Sequence, residues 1–80
     1  AAIWQAFGWD VQVVTDGNDV ESLLSALKAI LQSDVAKPHL IIAHTVKGKG
    51  ISFMENNLGW HAAPINREQY EKAQSDLELA

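Results

Sequence analysis

The run Leu40–Ala43, the LIIA of HLIIAHTV, does most to limit the folds open to this chain. An unbroken apolar run in a strand implies burial on both faces, as happens in a parallel sheet covered by helices on either side. Earlier in the chain, VQVVT (Val11–Thr15) is β-branched and reads as a second strand, ended by the turn residues Asp16, Gly17, Asn18 and Asp19. Between the two strands Leu23, Leu24, Leu27, Ile30 and Leu31 fall on one broad stripe at helical spacing. Asn18 is the predicted cap of that helix, Glu21 stands at the capping-box position, and Asp19 and Glu21 suit the positive helix end. Pro38 closes the connection. Strand, helix and strand in this order predict a βαβ unit with parallel strands.

The flanks add two more helices. Ala1–Phe7 carries Ile3, Trp4 and Phe7 on one side and is followed by Gly8, which suits a left-handed C-terminal turn. Asn66 is placed to cap a last helix, with Gln69 at the capping-box position and Tyr70, Ala73 and Leu77 on one face. One crossover helix and two flanking helices cannot cover both faces of a sheet, and two strands cannot close one. The expected fold is therefore α/β: a βαβ unit with flanking helices, completing a larger sheet supplied by another segment or subunit. Residues 1–80 read as a single segment, and a start without methionine fits a piece of a longer chain.

Composition excludes several classes. There is no cysteine, so neither a disulfide nor a thiolate zinc site supports so short a chain. The net charge of −4 argues against general nucleic-acid binding, which needs clustered cations. Residues 1–80 do not open on a charged-then-apolar leader, and none of their apolar runs approaches the roughly 20 residues of a membrane span. A cytoplasmic setting is expected.

The chemistry is concentrated in HTVKGKGISFMENNLGWHAAP, from His44 to Pro64. A nucleotide P-loop is excluded, because its spacing would need glycine at Ala43 and a hydroxyl residue at Gly50. By themselves Gly48 and Gly50 need only let the chain turn, with Lys47 and Lys49 solvated. Position gives the loop more weight: it follows the carboxyl end of a buried parallel strand, where open α/β sheets place ligands. Glycine permits close backbone approach and lysine brings charge, which together suit a phosphate or diphosphate group. His39 and His44 are five residues apart on a strand, point to opposite faces, and make a poor metal pair. His61 lies in an irregular stretch where it can serve as a phosphate donor or proton carrier, with packing against Trp60 as the alternative. Glu55, followed by Asn56 and Asn57, reads as a solvated loop carboxylate. Trp4, Phe7, Trp9, Phe53 and Trp60 read as core or interface residues.

FGW with VVTDGND, followed by KPHLIIAHTVKGKGISFMENNLGWHAAPI, resembles the amino-terminal, diphosphate-binding half of transketolases, especially those encoded as two subunits. The most specific part is the ordered set T-x-K-G-K-G, F-M-E and W-H-x-x-P. The resemblance implies thiamine diphosphate and a divalent ion, usually magnesium, bound between domains of a dimer or heterotetramer. It implies transfer of a two-carbon ketol unit between sugar phosphates. Lys47 matches a position near the cofactor diphosphate, with Gly48 beside it in the same loop. His61 matches a histidine that contacts the diphosphate and approaches the substrate. No metal ligand is expected on this chain: the G-D-G segment with its asparagine belongs before AFGW. The glutamate that activates the thiamine ring belongs to a pyrimidine-binding domain or subunit. The chain is thus expected to be the C-terminal part of the diphosphate-binding domain, inactive alone, with the rest of that domain and the pyrimidine domain as partners. Two departures stand out: Asn18 where the family often has histidine, and Ala62 where it usually has glycine, which puts a β-carbon beside His61. A non-catalytic docking module, an independent phosphate-binding domain using Lys47 and Lys49, and a deoxyxylulose phosphate synthase-like enzyme are the competing readings.

Overall fold

The computed structural model describes residues 1–78. In order, the elements are helix α1 (Ala2–Ala6), strand β1 (Asp10–Val14), helix α2 (Val20–Leu31), strand β2 (His39–Ala43), a 3₁₀ turn (Leu58–Trp60) and helix α3 (Arg67–Glu78). The chain forms two compact units, Ala1–Thr45 and a second that starts at Val46.

The first unit is the predicted βαβ. β1 and β2 are parallel and paired from Asp10↔His39 to Val14↔Ala43. Asp10 N–H donates to Pro38 O (2.9 Å) before the ladder, and His44 N–H donates to Val14 O (2.9 Å) after it. β2 ends at Ala43, opposite Val14, the last residue of β1. Gly17 N–H then donates to His44 O at 2.7 Å. A β-carbon on Gly17 would lie 2.8 Å from that same oxygen and 2.9 Å from Ala43 Cβ, so this turn admits only glycine without a shift of backbone.

α2 starts one residue later than the sequence suggests. Its cap is Asp19 and not Asn18, since the Asp19 carboxylate accepts both the Ser22 N–H (3.1 Å) and the Ser22 hydroxyl (2.6 Å). These bonds, the hydroxyl first, hold the Asp19 carboxyl below the ordinary aspartate value. Gln12 Nε2 donates to Ala26 O at 3.2 Å and ties α2 to β1. Val14 and Ala26 are buried at this contact. The doubly buried β2 of the sequence-based expectation is half-buried instead, because the chain places a single crossover helix on the sheet. Leu24, Leu27 and Leu31 are 42%, 51% and 85% exposed, and Phe7 78%. Covering a side chain as exposed as Leu31 would stabilise the fold by up to roughly 1.5–3 kcal/mol, and the half-covered Leu24 and Leu27 by less.

At the N-terminus, Gly8 takes the left-handed conformation (φ 91°) after α1, and Trp4 and Trp9 meet edge to face with centroids 5.1 Å apart. In the second unit α3 begins as expected: Gln69 N–H donates to Asn66 Oδ1 (2.8 Å) and Asn66 N–H to Gln69 Oε1 (3.0 Å), a reciprocal capping box. Ala73 on its inner face is buried. No helix among the described residues is long and apolar enough to cross a membrane.

Candidate functional site

Lys47 and His61 are fourteen residues apart in sequence, and the second unit brings their side chains together: Lys47 Nζ stands 3.1 Å from His61 Nδ1. Local structure sets both ends of this contact. The Lys47 carbonyl accepts the Asn56 N–H at 2.8 Å, closing the loop on itself. Asn56 takes a positive φ of 56°, a conformation asparagine tolerates better than most residues. Asn57 then accepts the Gly59 N–H on its Oδ1 (3.0 Å) and starts the 3₁₀ turn, after which His61 N–H donates to Leu58 O (3.1 Å). Trp60 packs its ring edge to face on Phe53, centroids 5.5 Å apart, while His61 turns its own ring to the lysine.

Gly48 has a reason of its own within this loop. With φ 75° it is left-handed, and a β-carbon there would collide with the Met54 carbonyl oxygen and lie 2.6 Å from the carbonyl carbon. The loop doubles back so tightly that the Met54 backbone occupies the space a side chain would need. Gly50 (φ 102°) is less crowded, its nearest neighbour being the end of the Leu77 side chain at 3.4 Å. The Gly50 N–H donates to Glu55 Oε1 at 3.2 Å, so Glu55 braces the loop. Ala62 has no positive φ, and its β-carbon is accommodated in ordinary backbone.

A further brace has no signature in the sequence. Ser52 donates its N–H (2.9 Å) and its hydroxyl (2.7 Å) to Asp76 Oδ2, linking the loop to α3. These bonds, the hydroxyl first, lower the Asp76 carboxyl from its ordinary value. A carboxyl depressed in the folded chain contributes stability above the unfolded value and loses it as pH falls through the folded one. Exchange of the Ser52 amide, corrected for its intrinsic rate, is therefore expected to be slow at neutral pH and to accelerate on acidification below the usual aspartate range. Asp76→Asn should exchange fast at neutral pH and show a flatter pH response; an amide indifferent to both changes would remove the brace.

The donor set suits an anion. An ammonium has three N–H donors, of which His61 takes one, and imidazole adds another. Among the described residues no carboxylate lies within ion-pair distance of Lys47, so its charge is not neutralised locally. Likewise, no group of three or more histidine, aspartate or glutamate residues among them is arranged to hold a metal ion. An open hollow of about 470 Å³ in the same unit is lined by Phe53, Asn57, Trp60, Asn66, Glu68, Gln69 and Lys72, and neither Lys47 nor His61 borders it.

The other histidines are elsewhere. His39 is opposite Asp10 in the parallel register, with Nδ1 3.0 Å from the carboxylate, close but not aligned as a hydrogen bond. This pairing could not be read without the register. His44 serves the sheet end through its backbone, as described above.

Comparison with known proteins bears on the whole chain. Residues 1–80 match the family model described as transketolase, thiamine diphosphate binding domain. The chain is 44% identical over 70 residues to an apulose-4-phosphate transketolase subunit of Phocaeicola vulgatus, covering 88% of this chain and 24% of that protein. It is 37% identical over 75 residues to the 6-deoxy-6-sulfo-D-fructose transketolase subunit SqwG of a Clostridium species, covering 94% and 26%. Transketolase-like protein 2 of Bos taurus is 43% identical over 65 residues, covering 81% and 10%. The chain thus spans about a quarter of the length of the two subunit relatives.

Proposed function

Because the chain belongs to the transketolase thiamine diphosphate-binding domain family, we propose that it forms the C-terminal part of such a domain and supplies one wall of the cofactor's diphosphate site. The observation that carries this is the approach of Lys47 to His61 at 3.1 Å, with no carboxylate among the described residues to neutralise the lysine. The resemblance noted in the sequence implies the same end of the cofactor for both positions.

Thiamine diphosphate, when bound, would supply carbanion chemistry toward a ketose carbonyl. The chain's own residues do the rest at this wall. Lys47 directs its remaining N–H donors at phosphate oxygens and offsets their charge. His61, on the far side of the pair, donates toward the diphosphate and the substrate oxygen. Gly48 keeps the loop closed beneath them. Magnesium is held by residues outside this chain, and the ring-activating carboxylate is contributed by a pyrimidine-binding partner, so the chain by itself is inactive. The assembled enzyme, a cytoplasmic dimer or heterotetramer, transfers a two-carbon ketol unit between sugar phosphates. The names carried by the relatives above favour ketol transfer over deoxyxylulose phosphate synthesis. The exposed apolar side chains of α1 and α2 support docking against the rest of the sheet.

A cofactor titration of the assembled complex tests the wall directly. Lys47→Ala removes a charge-assisted bond worth about 1.5–3 kcal/mol, so thiamine diphosphate affinity should fall by about tenfold or more. Unchanged affinity would reject the assignment.

A further inference from the structure

We propose that Lys47 is a positioning residue for His61, fixing the ring proton on Nε2 so that the histidine enters the site as a hydrogen-bond donor. An ammonium carries only donors and no lone pair. With Lys47 Nζ 3.1 Å from His61 Nδ1, that ring nitrogen is the acceptor. A neutral imidazole holds a single proton, which this contact leaves on Nε2. Which nitrogen of a histidine carries its proton is set by the bond the other makes, and here the other bond comes from within the same loop.

The pairing is held from both sides by backbone. Asn56 N–H to Lys47 O fixes one end and His61 N–H to Leu58 O the other, while Trp60 is engaged with Phe53. These bonds set where the two side chains start, within reach of each other. In this tautomer Nε2 offers an N–H to a phosphoryl oxygen, or to a carbonyl oxygen as it gains negative charge, and cannot accept a proton until it has given one up. His61 therefore meets an incoming oxygen as a hydrogen-bond donor and not as a base. That the acceptor belongs to thiamine diphosphate or its substrate rests on the function proposed above; the tautomer does not.

The experiment is nitrogen-15 spectroscopy of the assembled complex, with histidine labelled in this chain, His61→Gln used for assignment, and a mildly alkaline buffer. The expected result is a protonated Nε2 and a bare Nδ1 for His61. In Lys47→Met, which keeps the length of the side chain and removes its donors, the Nδ1-protonated form should rise to a measurable share. A parent ring protonated on Nδ1, or a tautomer pattern identical in Lys47→Met, would overturn the proposal. Adding thiamine diphosphate to the same samples separates the two ideas. A locked tautomer whose Nε2 resonance does not respond to the cofactor would sustain the role of Lys47 and remove the cofactor site.

Discussion

Replacing Gly48 with alanine is expected to weaken cofactor binding by the assembled enzyme far more than Gly50→Ala does. Both glycines have positive φ, a conformation that costs a side-chain-bearing residue about 1–3 kcal/mol. They differ in what a β-carbon would meet. At Gly50 the neighbour is the tip of Leu77 at 3.4 Å, which can move aside. At Gly48 it is the carbonyl group of Met54, with the carbon 2.6 Å away, and backbone in a closed loop yields only by opening the loop. Overpacking of this kind typically adds about another 1–3 kcal/mol. Because Asn56 N–H bonds to the carbonyl of Lys47, opening the loop displaces the lysine itself. Thiamine diphosphate affinity should drop by about a hundredfold or more for Gly48→Ala. Equal affinities for the two variants would show that crowding by Met54 does not matter to the site.

His61→Ala is expected to depress turnover far more than cofactor affinity. Loss of a positioned proton donor typically costs about 100-fold or more in rate. Lys47 remains to hold the diphosphate, so affinity should change by less than about tenfold. Steady-state rates with saturating cofactor, set beside a cofactor titration, separate the two quantities. Rates equal to those of the parent would take His61 out of the mechanism.

These residues differ in how far their roles can be read from the sequence, and the difference is physical. The Asn66–Gln69 box is legible because it depends on a spacing of three and on two side chains that each bond to the other's backbone. The start of α2 is off by one residue in the sequence reading because Asn18 and Asp19 are both good caps, and the Ser22 hydroxyl that favours Asp19 enters no capping rule. Strand existence and parallel pairing follow from apolar patterning, whereas the end of β2 depends on where its neighbour runs out. The pair Asp10–His39 requires the register. Lys47 and His61 stand out through family resemblance, but no spacing rule says that residues fourteen apart in an irregular stretch will touch. The crowding at Gly48 is invisible for the same reason: its partner is a backbone group six residues away, and backbone atoms leave no mark in a sequence.

The braces within the loop, Asn56 to Lys47, Gly50 to Glu55 and Ser52 to Asp76, have a thermodynamic consequence. Immobilising a side chain on binding costs about 0.5–1.5 kcal/mol, and a floppy loop multiplies that cost. Here the ordering occurs when the polypeptide folds, before any ligand arrives. On the function proposed above, an incoming anion would meet a loop whose backbone is already ordered, and little of the attraction would be consumed in freezing it.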